Sequence, residues 1–173
     1  MKSFLVGLVT GVVLVPLAFL IIGYLGGLSV HATADPPAWE RQFAHRALEA
    51  SLARQARELR NPITVSADAL LAGMKLYVNN CSGCHGKPGA PSPWGTENFY
   101  PRVPQLAEHA AHLDAAEMFV VVKRGIRYSG MGAWDSMLSD EDIWRIVTFL
   151  SAAHDLPPAV DAIWNSRTLP SIG

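Results

Sequence analysis

Both cysteines of this 173-residue chain fall within one run of five residues, Cys81-Ser82-Gly83-Cys84-His85. Two thiols at this spacing can each add across a vinyl group of a haem, and a histidine that follows directly is placed to bring its imidazole to the iron. The run therefore predicts one covalently attached haem c, bound through Cys81 and Cys84, with His85 as the proximal iron ligand.

Other uses of a Cys-x-x-Cys pair fit the sequence less well. A structural zinc site normally has four N or S ligands, and a second cysteine pair is absent. A thioredoxin-like dithiol is expected within a βαβ pattern, whereas residues 66–80 have the pattern of one amphipathic helix. A disulfide between Cys81 and Cys84 would close a very small loop and leave His85 without a role.

Composition excludes some functions and bounds the architecture. Half of the residues are hydrophobic, the formal net charge is −1, and the length suits one domain plus an anchor. No basic block is present, so a nucleic-acid partner is not expected. Because the haem motif uses both cysteines, no disulfide framework remains to indicate the redox compartment.

The N-terminus has the character of a membrane segment. Phe4 to Leu28 is a run of 25 residues without a charge, which as a helix would extend for about 37 Å, more than the hydrocarbon core of a bilayer. A cleaved signal peptide is the alternative, since Lys2 precedes the run and Ala32-Thr33-Ala34 resembles a cleavage site, but its apolar region is usually shorter. We therefore predict that residues 1–34 form an uncleaved transmembrane signal-anchor.

Two pairs of glycines in this segment have a spacing that would allow a second membrane helix to pack against it. Gly7 with Gly11, and Gly23 with Gly27, have the GxxxG form that lets a second membrane helix approach closely. Glycine is frequent in membrane helices in general, so a specific partner helix is the less favoured interpretation.

Residues 35–62 predict a juxtamembrane amphipathic helix or linker. Asp35-Pro36 has the form of a helix start, and Asn61-Pro62 closes the segment. Two interpretations stay open: a surface that docks a partner protein, and a solvated linker helix that lies against the lipid headgroups with Trp39 at the interface.

Three helices are predicted in the remainder, and no stretch alternates as a strand would. Ser66 is a candidate N-cap for the first, Asp114 with Glu117 resembles a capping box for the second, and Ser139 with Asp142 starts the third. The loop from residue 86 to residue 113 is rich in Gly and Pro, which is usual for a loop that packs on a cofactor.

From Ser66 to about Asp155 the chain resembles class I c-type cytochromes. Three elements carry the resemblance in the family's order: the haem motif, the segment Ser129-Gly130-Met131-Gly132-Ala133-Trp134, and the terminal helix. The resemblance implies an all-α class I cytochrome c fold, with three main helices around one covalent haem, in addition to the N-terminal transmembrane helix. We place this cytochrome c domain at residues 63–155 and a C-terminal tail at 156–173.

By the same resemblance, Gly73 and Tyr77 of the first helix should pack across Ile146 and Phe149 of the last. A small residue at such a crossing permits close approach, so Gly73→Leu is expected to overpack it.

The sixth iron ligand needs a soft or nitrogenous donor in the loop between the second and third helices. Met131 is the best-placed candidate, because the glycines on both sides of it let the backbone approach a haem closely. Several other side chains are rivals, although helical methionines are more often core residues and single histidines more often solvated. These rivals are Met137, Met118, Met74, His109 and His112.

Weaker expectations concern the surroundings of the haem and the surface charge. We expect contacts to the haem or its propionates from Trp94, Tyr100, Arg102 and Trp134. A local basic rim is predicted from Lys87, Lys123, Arg124 and Arg127, although the domain as a whole is mildly acidic.

With both axial positions filled by side chains, no open iron site remains for a small-molecule substrate. The predicted activity is therefore outer-sphere transfer of single electrons between respiratory-chain partners, and not catalysis. Resemblance to c-type cytochromes implies haem attachment outside the energy-transducing membrane. The predicted location is therefore the inner membrane, single-pass, with the haem domain in the periplasm among membrane-bound or periplasmic redox proteins. A fixed subunit of a larger membrane oxidoreductase, and a haem sensor or peroxidase-like protein, are the alternatives.

Overall fold

A computed structural model describes residues 1–108 and 112–166 of the chain. Over these residues all the named secondary structure is helical, and a single isolated bridge joins Lys87 to Ala90. The chain divides into two compact units, Met1–Ala34 and Asp35–Gly173. The helices are α1 (Lys2–Tyr24), α2 (Ala38–Ala56), α3 (Ala67–Asn80), α4 (Ser82–His85), α5 (Pro93–Glu97), α6 (Ala115–Arg124), α7 (Asp140–Ala152) and α8 (Pro158–Trp164).

The first unit consists of α1 and the turn that follows it. The helix has 23 residues and no buried side chain, and an 18-residue window within it has a mean hydropathy of 2.8. Its length, about 34 Å at 1.5 Å per residue, and its composition are sufficient to cross the hydrocarbon core of a bilayer. Pro16 lies inside the helix, as membrane helices tolerate. The N-terminal helix thus fits the predicted membrane anchoring.

The two glycine spacings of this unit differ in position. Gly7 and Gly11 both lie on α1, and a Cβ at either would meet open space. Gly27 lies beyond the end of the helix, where its backbone N–H donates to the carbonyl of Ile22 at 2.8 Å. The second spacing therefore belongs to the turn that ends α1 and does not form a continuous helical stripe. A partner helix at Gly7 and Gly11 stays a prediction.

The three main helices of the second unit begin where the sequence predicts. The Ser66 side chain accepts from the backbone N–H of Ala69, and Ser139 does the same for Asp142. Asp114 and Glu117 form both hydrogen bonds of a capping box. The predicted starts of these helices, and the all-α fold class, are confirmed.

Helices α3 and α7 cross at Gly73, as the resemblance implies. A Cβ atom at Gly73 would lie against the carbonyl oxygen of Arg145 and 2.8 Å from the Cβ of Phe149. One turn later, the rings of Tyr77 and Phe149 are 5.8 Å apart, and both side chains are completely buried. Ile146 of α7 is also completely buried. The close approach of the two backbones requires glycine at position 73.

Helix α6 lies between α2 and α7. Phe119 of α6 stacks on Trp144 of α7, with ring centroids 4.1 Å apart. On the other side, Leu52 and Ala56 of α2 are buried with Val120. Part of the segment predicted as a linker therefore packs on the domain.

Helix α8 packs in the same way from the C-terminal side. Trp164 is 4% exposed and makes edge-on contacts with the rings of Tyr77 and Phe149, at centroid distances of 5.7 and 4.9 Å. Val160 is buried in the same cluster. The packed unit thus extends beyond residues 63–155 on both sides, because short apolar faces of α2 and α8 cover the main helices.

Candidate functional site

The Cys81–His85 segment forms a tight helical turn directly after α3. The backbone N–H groups of Cys84 and His85 donate to the carbonyl of Cys81 at 3.1 and 2.9 Å. Both cysteines are free and half-buried. Burial, followed by the nearby Cys84, raises the pKa of the Cys81 thiol to about 12, so this thiol is neutral at neutral pH. Burial at Cys81 is compatible with a sulfur that carries no charge, as in a thioether.

The His85 imidazole is held by a backbone group on a distant loop. Its Nδ1 atom lies 2.9 Å from the carbonyl oxygen of Pro104. Because a carbonyl can only accept, Nδ1 carries the proton and Nε2 keeps its lone pair. Burial lowers the pKa of His85, although the hydrogen bond to Pro104 opposes this, and the neutral ring predominates at neutral pH. A histidine held in this way can act as a metal ligand through Nε2.

Tyr77 fixes the backbone immediately after the motif. Its hydroxyl lies within donating distance of the carbonyls of His85 (3.1 Å) and Gly86 (2.9 Å). Burial raises the pKa of Tyr77 above its ordinary value, so the hydroxyl stays protonated and can donate. The backbone N–H of Leu106 donates to the same His85 carbonyl at 3.1 Å. The buried Tyr77 side chain of α3 thereby helps to fix the backbone position of His85, the candidate iron ligand.

Gln105 joins the motif to the loop that follows it, and sequence reasoning missed this residue. Its side-chain oxygen accepts from the backbone N–H of Ser92 at 2.7 Å, and its amide nitrogen donates to the carbonyls of Cys84 and Val103, both at 3.1 Å. The side chain is 8% exposed. A glutamine in a Gly- and Pro-rich loop carries no sequence signal that would identify such a role.

Ser92 and Gly95 bring the same loop onto the motif turn. The Ser92 hydroxyl donates to the carbonyl of Gly83 at 2.6 Å and accepts from the backbone N–H of Gly95, which starts the short helix α5. A Cβ at Gly95 would collide with the carbonyl of Cys84. The loop after the motif is thus ordered on the motif itself, and it contains one turn of helix within the predicted loop.

Met131 lies in a compact turn after α6. Its carbonyl accepts from the backbone N–H of Ile126 at 2.9 Å, and its own N–H donates to the Ser129 hydroxyl at 3.1 Å. Gly125 has a φ of +69°, and a Cβ there would lie 2.7 Å from the Met131 carbonyl oxygen. The half-buried Met131 side chain packs against the cluster between α6 and α7. Glycine is therefore required for the turn that presents Met131.

Gly130 permits a second close approach in this turn. A Cβ at Gly130 would lie 2.5 Å from the ring of Phe99, so the Phe99 ring lies directly against the Met131 turn. Phe99 in turn makes an edge-on contact with Trp94 at 5.6 Å. The loop that follows the haem motif and the turn that carries Met131 are thereby in contact.

The rival ligands differ from Met131 in burial. Met74 and Met118 are buried in the core, as expected of helical methionines, whereas Met137 is 71% exposed and His112 is exposed. His109 lies outside the described residues. These positions leave Met131 as the favoured sixth ligand, which stays a prediction.

The side chains predicted to contact the haem or its propionates differ in burial and in their hydrogen bonds. Arg102 donates to the backbone carbonyls of Glu97 and Phe99, so at least part of its guanidinium holds the loop itself. Trp134 is partly buried against the cluster between α6 and α7, and Trp94 is 59% exposed. Contacts of these side chains and of Tyr100 with a haem stay predictions.

The proposed basic rim is partly neutralised by ion pairs. The ammonium group of Lys123 binds the Asp140 carboxylate at 2.6 Å, and Arg124 binds Asp135 at 3.1 Å. A surface with paired charges attracts anionic partners less than the four cations alone would suggest. Across residues 1–108 and 112–166, no group of three or more His, Cys, Asp or Glu side chains lies close enough to hold a metal ion.

One family model matches the part of the chain that contains the candidate site. The family described as "Cytochrome C oxidase, cbb3-type, subunit III" matches residues 68–150, which run from the first turn of α3 to the last turns of α7. No curated protein and no solved structure matches the chain. The matched segment contains the haem motif, the Met131 turn and the crossing at Gly73. The chain therefore carries a c-type cytochrome domain, the haem c-binding and electron-transferring part of a protein whose N-terminal apolar helix fits membrane anchoring.

Proposed function

We propose that this protein is a membrane-tethered monohaem cytochrome that transfers single electrons between respiratory-chain partners. Cys81 and Cys84 would hold the haem, and His85 and Met131 would be its axial ligands. The observation that carries the proposal is the His85 imidazole, whose Nδ1–H donates to Pro104 and whose Nε2 lone pair is free for iron. When bound, the haem supplies a one-electron redox couple.

A single haem is inferred from the cysteine count. The sequence has two cysteines, and both belong to one motif, so a second covalent site has no thiols to use. With His85 and Met131 as axial ligands, no coordination position is left for a substrate. Outer-sphere electron transfer is the activity that remains for such a site.

The membrane tether determines where electron transfer takes place. A haem domain linked to a membrane helix is confined near membrane-bound partners, which raises its effective concentration there. We infer an inner-membrane location with the haem domain in the periplasm, because c-type cytochromes carry their haem outside the energy-transducing membrane. Protease added to intact spheroplasts should digest the haem domain, and a domain that survives until the cells are lysed would place it on the cytoplasmic side.

A second candidate function is supported by the family match. The matching family is described as a subunit of a cytochrome c oxidase, so a fixed place in a membrane oxidoreductase is a specific alternative to a mobile carrier. Extraction of native membranes with a mild detergent separates the two. A carrier should elute alone, whereas a complex of constant stoichiometry over several detergents would establish the subunit role.

Redox cycling in native membranes tests electron transfer itself. The reduced haem band of the full chain should appear when a respiratory donor is added without oxygen, and it should decay when oxygen enters. A band that does not respond to either addition would contradict a place in the respiratory chain. Binding of carbon monoxide or cyanide to the unmodified protein would instead favour the haem sensor or peroxidase-like function, because it requires an open or displaceable ligand.

A further inference from the structure

Helix α2 has two faces of different character. On one face, in its C-terminal half, Leu52 and Ala56 are buried with Val120 of α6. On the other, Trp39 and Phe43 are 61% and 72% exposed, although their aromatic rings are the largest apolar groups of the helix. Exposed aromatic side chains one helical turn apart indicate a surface that is covered by something outside this chain.

The exposed face is opposite the packed face, and most of its charged side chains are arginines. Residues of an α-helix are about 100° apart, so Phe43, nine residues before Leu52, points about 180° away from it. Around Phe43 the face carries aromatic, arginine and alanine side chains, all of them exposed. Its members are Trp39, Phe43, Arg46, Ala47, Ala50, Ala53 and Arg54, and Arg57 follows as the C-cap of the helix.

Acidic side chains are displaced from this aromatic-arginine face. On the same helical projection, Glu40 falls at its edge, about 60° from Phe43, and Glu49 lies beyond the edge, while Glu58 follows the end of the helix. Glu49 pairs with His45, which projects on the opposite side. The ion pairs found among the described residues do not involve Arg46, Arg54 or Arg57. The arginine charges are therefore available to an external anion.

We propose that the aromatic-arginine face of α2 lies on anionic phospholipid headgroups, so that the haem domain is held against the membrane surface as well as tethered to it. Tryptophan is enriched at the headgroup level of membranes, and cationic side chains close to a membrane segment are attracted to anionic lipids. This inference rests on the membrane tether of the proposed function, and it is independent of the haem ligands.

Chain connectivity favours lipid over a partner protein as the occupant. The membrane helix α1 ends at Tyr24, and α2 begins at Ala38, so 13 residues join them. Even fully extended, 13 residues span at most about 45 Å, which keeps the start of α2 within reach of the bilayer surface. Trp39 and Phe43 lie in the half of α2 that follows this connection, so along the chain they are the aromatic side chains of α2 closest to the tether.

Photo-crosslinking in the full-length, membrane-inserted protein tests the occupant directly. Phe43 is replaced by benzoylphenylalanine, which keeps an aromatic side chain, and His45 on the opposite side receives the same replacement as the matched control. Each protein is irradiated in native membranes, in vesicles of phosphatidylcholine with phosphatidylglycerol, and in vesicles of phosphatidylcholine alone. Adducts are identified by mass.

The proposal predicts phospholipid adducts at position 43 at several times the yield found at position 45, with the higher yield in the anionic vesicles. The double variant Arg46→Glu, Arg54→Glu should reduce this yield several-fold. Arg41→Glu should not, because Arg41 is exposed but projects on the packed side of the helix.

Two results would overturn the proposal. One is equal lipid labelling at positions 43 and 45, and the other is a protein adduct of discrete mass at position 43 in native membranes without lipid adducts, which would assign the face to a protein partner. Haem staining of the same samples keeps the two proposals apart. A chain that gives lipid adducts but holds no covalent haem would refute the proposed function and leave this inference standing.

Discussion

The Nδ1 atom of His85 lies 2.9 Å from the carbonyl oxygen of Pro104, 19 residues further along the chain. This hydrogen bond sets the tautomer of the ring and its orientation, and therefore the direction in which Nε2 presents its lone pair. The position of Pro104 in turn depends on its neighbour Gln105, whose side chain joins Ser92, Val103 and Cys84.

Removal of the Gln105 side chain should therefore loosen the loop that orients His85. Gln105→Ala leaves the buried Ser92 N–H and the Cys84 carbonyl without their partner, which typically costs about 1–3 kcal/mol of stability. The free energy of unfolding of the haem-loaded protein measures this effect. Gln55→Ala is the matched control, since Gln55 is exposed and bonds within one helical turn. Equal stability of both variants would contradict the role assigned to Gln105.

Replacement of Met131 tests the sixth ligand. Met131→Ala should lower the reduction potential markedly and let carbon monoxide and cyanide bind, because thioether ligation favours ferrous haem and occupies the coordination position. Redox titration and ligand-binding spectra measure both effects. Met137→Ala serves as the control, since Met137 is 71% exposed, and it should leave potential and ligand binding unchanged. The opposite pattern would reassign the ligand to Met137.

The crossing of α3 and α7 should not tolerate a side chain at position 73. Gly73→Leu is expected to destabilise the fold by about 3 kcal/mol or more, since overpacking here pushes on the Arg145 backbone and cannot be relieved by a side-chain rotation. Thermal unfolding of the haem-loaded protein measures the loss. The same substitution in the membrane helix, Gly11→Leu, should leave this unfolding transition unchanged, because a Cβ at Gly11 meets no atom within 4 Å. A Gly73→Leu variant as thermostable as the parent would refute the close approach.

The C-terminal helix should contribute to stability through Trp164. Trp164→Ala removes a buried ring that contacts Tyr77 and Phe149, and such truncations cost about 3–5 kcal/mol. Denaturant unfolding in detergent compares this variant with Trp39→Ala, whose exposed ring should contribute little there. If both substitutions have the same small effect, α8 is not part of the folded domain.

Local sequence signals predicted much of this molecule. Ser66, Asp114 and Ser139 predicted the starts of the three main helices, because an N-cap residue bonds to backbone groups within three residues of itself. The resemblance to c-type cytochromes predicted the helix crossing at Gly73. The contributions of α2 and α8 were not predictable in the same way. Each buries only a few side chains, and Trp164 meets Tyr77 and Phe149 through tertiary packing that no local periodicity reports.

The residues of the candidate site likewise fall into two groups, those that the sequence identifies and those that it does not. The haem motif and Met131 have distinctive residue types at distinctive spacings, so sequence alone identifies them as candidates. Gln105 and Ser92 are common polar residues whose roles come from hydrogen bonds to backbone groups 9 to 21 residues away, which the sequence does not report.

The proposed function depends above all on covalent attachment of haem to Cys81 and Cys84, which a pyridine haemochrome assay detects. The full chain is purified from its native membranes, denatured, extracted with acid acetone to remove any non-covalent haem, and treated with alkaline pyridine under reducing conditions. We expect the haemochrome band of a haem with two thioether bonds to remain with the polypeptide. A polypeptide that shows no haemochrome band after extraction would contradict the account.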